Sequence, residues 1–195
     1  MDEKLIEIVK QLNDSRNKLL ALKGLYNTYL LQAEDDRSNL TTLFEQMVDY
    51  KNDLNTITKN LGNVKKADRS TELNKNKNKI NLINKSIDSV SNNFKSTCKN
   101  YREALKECGS LKTEYKHEVS ELTKEFKANL TADTQTTIIK GYKQQVRVIK
   151  AIFDRIEVMI ADYNSKRNKV EEDSERFNAL KDSVNVMLSS LENIA

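Results

Sequence analysis

Apolar side chains recur along this chain in steps of three and four residues, with few interruptions. In the first stretch they fall at Leu5, Ile8, Leu12, Leu19, Leu22, Tyr26, Tyr29 and Ala33, then at Leu40, Leu43, Met47, Tyr50, Leu54, Ile57, Leu61 and Val64. Residues three and four apart share one face of an α-helix, so the pattern predicts a helix over about 2–64 with one buried stripe. Ala33 and Leu40 are seven apart, which keeps the phase through the polar run Glu34 to Asn39. The kept phase favours one continuous helix; a break at 34–39, with Ser38 or Asn39 capping a second helix, stays open as the alternative. Gly62, then Lys65 and Lys66, marks the end: glycine tolerates the left-handed turn after a helix, and lysine suits the negative end of its dipole.

A second helical stretch is expected over about 72–130. Its stripe reads Ile80, Ile83, Ile87, Val90, Phe94, Thr97, Tyr101, Ala104, Cys108, Leu111 and Tyr115, resuming after a step of four at Val119, Leu122, Phe126 and Leu130. Gly109-Ser110 is its expected kink, because glycine costs about 1 kcal/mol relative to alanine inside a helix. Asp133 or Thr134 is the natural N-cap of a third helix, about 134–194. That helix would be roughly 90 Å long at about 1.5 Å per residue. It divides at the polar interval Asn164 to Lys169. Before it lies a dense apolar half, Ile138 to Tyr163; after it lies a second seam, Val170, Phe177, Leu180, Val184, Met187, Leu191 and Ile194.

These segments predict an all-α fold: an elongated antiparallel bundle of three long helices with coiled-coil-like heptad seams, or four helices if the first breaks at 34–39. One domain over 1–195 is expected, because short connections make sequential helices antiparallel neighbours. Composition agrees. Of 195 residues, 32% are charged and 37% hydrophobic, with no proline and four glycines; a helix with two or three apolar positions in seven needs no more. A disordered chain would not hold a phase for sixty residues.

Charge is uneven. The formal net charge is +4, and the stretch between the first two helices alone carries that excess: Lys65, Lys66, Arg69, Lys75, Lys77 and Lys79 against Asp68 and Glu72. Each lysine near an anionic membrane contributes about 1 kcal/mol to binding, so this tip is a candidate lipid contact, set against the plainer reading of a solvated turn. Nucleic acid is the weaker partner, since no aromatic residue sits among these cations to stack on a base.

Catalytic chemistry finds little purchase. His117 is the single histidine and lies between Lys116 and Glu118 on a polar face, the glycines are scattered at 24, 62, 109 and 141, and no cysteine pair has metal-ligand spacing. The expectation is a non-enzyme without metal or cofactor. Cys98 and Cys108 lie about 15 Å apart along one helix and cannot bridge; Cys108 falls on the stripe and Cys98 one place off it, so one buried and one half-buried thiol are expected. No run approaches the length of a membrane span, and Met1-Asp2-Glu3-Lys4 does not open a signal peptide, which predicts a cytoplasmic chain, peripheral to a membrane if it meets one.

Residues 170–195, from Val-Glu-Glu-Asp-Ser-Glu-Arg-Phe to Leu-Glu-Asn-Ile-Ala, resemble the amino-terminal half of the helix by which syntaxins enter SNARE bundles. Phe177, Leu180, Val184, Met187, Leu191 and Ile194 then take successive core layers. Upstream, Leu12 to Lys66 resembles the first two helices of the syntaxin regulatory bundle, and Thr113-Glu-Tyr-Lys with Leu130-Thr-Ala-Asp-Thr resembles the end of its third. The resemblance implies a protein-interaction module of membrane traffic that takes SNARE or coiled-coil helices as partners, its last helix serving as the partner-binding or autoinhibitory segment. On that match the chain stops just before the family's central glutamine. Three long segments and a basic tip fit two other readings: a BAR-like membrane-curving homo-oligomer, and a structural coiled-coil subunit of a larger assembly.

Overall fold

In a computed structural model, residues 2–194 are described, and among them the chain is helical with no strand. Helix α1 spans Asp2–Gly62, a 3-10 turn Lys66–Asp68 leads into the short α2 (Arg69–Lys75), and α3 (Lys77–Glu103), α4 (Lys106–Asn129) and α5 (Thr136–Glu192) follow. The protein is an all-α helical bundle.

Packing divides into two compact units, each containing one part of α1 and one part of α5: residues 1–32 with 103–165, and residues 33–102 with 166–195. The sequence reading had one bundle across the chain. Its three-and-four spacing marks which face of each helix is buried and not where packing changes partners along that helix.

In the first unit, Leu5, Leu12, Leu19, Leu22 and Tyr26 of α1 are sealed with Leu122 and Phe126 of α4 and Ile149, Ile152 and Ile156 of α5. Each such side chain contributes about 1.5–3 kcal/mol by leaving water. Phe126 stacks on Tyr142 with ring centroids 3.8 Å apart. Cross-helix contacts fix the directions. Lys4 pairs with Glu125 and Lys18 with Glu118, so α4 runs antiparallel to α1. Asn13 accepts a hydrogen bond from Gln145 at 3.3 Å, a separation of 132 residues, and a Cβ on Gly141 would meet Val9 at 3.6 Å, so α5 runs parallel to α1.

The second unit has the same up-down-up order. Leu40, Met47, Leu54, Ile57 and Leu61 of α1 are buried, as are Ile83, Ile87, Val90, Phe94 and Cys98 of α3. Lys79 bonds Asp53 at 3.0 Å across that antiparallel pair. Lys166 bonds Glu34 at 3.2 Å, again 132 residues apart, so α5 lies parallel to α1 here as well. Exposed ion pairs of this kind add little each, and burial of the stripes supplies the cohesion.

Residues 34–39 are unbroken helix, the alternative that the kept phase favours, with Thr41 and Thr42 bonding back to the carbonyls of Arg37 and Ser38. Other expectations are corrected. At Gly109-Ser110, the expected site of a kink, α4 runs on as helix; the helical ladder lapses at Ala104-Leu105, and also at Asn76. A Cβ on Gly109 would meet nothing within 4 Å, so this glycine only forgoes a side chain and demands no bend. Tyr101 and Cys108, on either side of the lapse, are each 1% exposed in their own unit. Cys98 is buried and Thr97 is not, because the stripe takes a step of four after Phe94. Gly62 has no positive φ; α1 closes instead by a bond from Asn63 N–H to the Asn60 carbonyl at 3.1 Å. Thr134 is buried, and its hydroxyl accepts from the Thr131 N–H at 3.0 Å, so it ties the connecting turn while the Gln135 carbonyl starts α5.

Candidate interaction surfaces of the second unit

Residues 166–192 of α5 are anchored by the seam the sequence singles out. Val170, Phe177, Val184 and Leu191 are at most 4% exposed. Leu180 and Met187 are half-buried, and Ile194, beyond the end of α5, is 42% exposed. Leu188 takes the buried place expected of Met187, because an α-helix advances 3.6 residues per turn and drifts from a strict seven-residue repeat. Phe177 stacks face to face on Phe94 of α3 at 3.8 Å and meets Phe44 of α1 at 6.2 Å with a tilt of 51°. This aromatic contact joins all three helices.

Arg102 of α3 forks onto Glu171 of α5, donating from both Nε and Nη2, the latter at 2.9 Å. The bond from Arg102 holds the Glu171 carboxyl below the usual range for glutamate, and the same bond raises the Arg102 guanidinium. Burial raises the nearby Cys98 thiol against the opposing pull of Arg102, which leaves it neutral and poorly nucleophilic.

Lys65, Lys66, Lys75, Lys77 and Lys79 are exposed at the connection between α1 and α3, with Arg69 half-buried. Lys75 bonds Glu72 at 3.1 Å and Lys79 bonds Asp53, which leaves Lys65, Lys66, Arg69 and Lys77 as the cations of the group without an ion pair among the described residues. The Arg69 Nε is buried and has no hydrogen-bond partner among the described residues. The tip is therefore less charged in effect than its composition implies.

Between α1 and α5 the surface opens. A cavity of about 280 Å³ is lined by Arg37, Thr41 and Phe44 of α1, Phe94 of α3 and Lys169, Asp173 and Arg176 of α5. A second, about 580 Å³ and more open, continues along Val48, Lys51 and Asn55 of α1 and Ala179 and Leu180 of α5. Phe44 and Arg176 line both, and the Arg176 guanidinium lies 5.5 Å from the Phe44 ring centre, within cation–π range. Sequence reasoning missed this groove. Its signal was Phe44 and Val48, an apolar pair four apart and one place beyond the stripe residues Leu43 and Met47.

His117 is exposed on α4, and among the described residues no group of three or more His, Cys, Asp or Glu is placed to hold a metal ion. No described helix is long and apolar enough to cross a membrane. Comparison of the chain with protein-family models, with curated proteins and with solved structures gives no match.

Proposed function

We propose that this chain is a non-enzymatic protein-interaction module of membrane traffic, syntaxin-like and cytoplasmic, in which residues 166–192 of α5 act as an autoinhibitory helix. One observation supports the reading above others: Val170, Phe177, Val184 and Leu191 are seated on α1 and α3 of the same chain. A seam so occupied cannot take a partner helix until it is released. Release has to expose these four and the equally buried Leu188, about 1.5–3 kcal/mol each for the larger ones, so a partner must offer an equivalent apolar surface in exchange.

The test weakens the seating without touching the rest of the chain. Val184→Asp places a charge where Val184 is 0% exposed. The full-length variant is expected to bind recombinant SNARE-motif helices in a pull-down that the unmodified chain fails. Equal absence of binding by both proteins counts against the syntaxin-like reading.

A second reading is favoured by the exposed lysines at the connection between α1 and α3: peripheral attachment to an anionic, BAR-like membrane site. Reversing Lys65, Lys66 and Lys77 to Glu is expected to abolish sedimentation with phosphatidylserine vesicles, each lost cation being worth about 1 kcal/mol. Unchanged sedimentation excludes it.

A further inference from the structure

Phe44 and Val48 are neither sealed in the core nor fully solvated, and they lie one turn apart on α1 beside Ala179 and Leu180 of α5. The two cavities share Phe44 and Arg176, so they form one groove with an apolar floor. It extends from Arg37 to Asn55 on α1, about 27 Å at 1.5 Å per residue, the length of an 18- or 19-residue helix. Its walls are two parallel helices, and ridges of a further helix pack into such a depression as they do inside a bundle.

The charges lining the groove choose among occupants. Four cations, Arg37, Lys51, Lys169 and Arg176, face two carboxylates, Glu45 and Asp173. Asp173 is already bonded by Arg176, and Arg37 is engaged by Glu34. Lys51 and Lys169, towards opposite ends, have no ion-pair partner among the described residues, against Glu45 as the one unpaired lining acid. We propose that this groove between α1 and α5 is a docking site for an amphipathic helix of a partner protein whose polar flanks are acidic. Apolar residues of the incoming helix cover Phe44, Val48 and Leu180, and its carboxylates meet Lys51 and Lys169, the arrangement of helix-in-groove recognition with complementary rims. A flat bilayer does not reach a floor set between two helices. The site rests on the interaction-module reading but requires α5 to stay seated, whereas autoinhibition requires it to leave.

The probe is a fluorescein-labelled 18-residue helical peptide with leucine at alternating three- and four-residue steps and glutamate on both flanks, titrated into the full chain by anisotropy. A counterpart with lysine flanks is the control. The acidic peptide is expected to bind at least about tenfold more tightly than the basic one. Ala179→Glu puts a charge on the groove floor at an exposed position and is expected to weaken binding about tenfold or more without moving the melting temperature, as is Lys51→Glu. Each of four results overturns the proposal: no binding, equal binding of both peptides, binding that neither variant changes, or a self-associated chain or vesicle-bound chain that Ala179→Glu releases. The last assigns the groove to a second copy or to lipid. Because the unmodified chain is used, failure here leaves the Val184→Asp experiment standing, and the reverse holds as well.

Discussion

Phe177 is fully buried and meets aromatic rings from both other helices of the second unit. Phe177→Ala is expected to lower stability by about 3–5 kcal/mol in chemical denaturation, the usual cost of a large aromatic cavity. Ser15 and Ser91 present the opposite case. Both are buried to within 1% of full, and neither hydroxyl has a hydrogen-bond partner among the described residues. An unsatisfied buried hydroxyl costs about 1–3 kcal/mol, so Ser91→Ala, which removes the group and keeps the volume, is expected to raise the unfolding midpoint. A lowered midpoint means that the hydroxyl has a partner. Glu171 adds a pH dependence. The bond from Arg102 holds its folded pKa below the ordinary glutamate value, so its stabilisation is present above that ordinary value and is lost as pH falls through the lower folded one. Arg102→Met is therefore expected to lower the midpoint at pH 7 by a modest amount, the pair being partly exposed, and the gap from the unmodified chain should close in acid as Glu171 becomes protonated. A constant gap shows that the loss is one of packing.

At the scale of helices, Ala33 to Leu40 shows what could be read without coordinates. A seven-residue interval kept the phase, and α1 is continuous there. The connection after residue 62 was legible too, from Gly62 and the lysines that follow. The lapse at Ala104-Leu105 was not, because Tyr101, Cys108 and the residues between them keep the stripe in phase, and spacing alone does not register a locally relaxed ladder. Gly109 misled for a related reason: its cost is in propensity, which packing of Cys108 and Leu122 overrides. Gly109→Ala tests this directly. With open space at the Cβ and no positive φ, the substitution is expected to stabilise by about 1 kcal/mol in thermal unfolding. A loss of stability is the result if the backbone bends there.

For the molecule as a whole, the seam of residues 170–191 was visible in the sequence, but a seam does not announce whether it faces its own chain or another. Here it faces its own chain, through Phe94 and Phe44 as well as the fork from Arg102. The groove was harder to see: Thr41, Asn52, Asn55 and Ala179 are unremarkable in the sequence, and their small or short side chains leave room only once two helices lie side by side. The central claim is that residues 166–192 are a removable part of the second unit. Calorimetric titration of a peptide covering 166–195 into a chain ending at Ser165, with unfolding followed before and after, tests it most directly. The shortened chain is expected to lose the cooperative unfolding of residues 33–102, and the peptide to bind and restore it. A shortened chain that unfolds as the full one does, with no heat on adding the peptide, contradicts the claim.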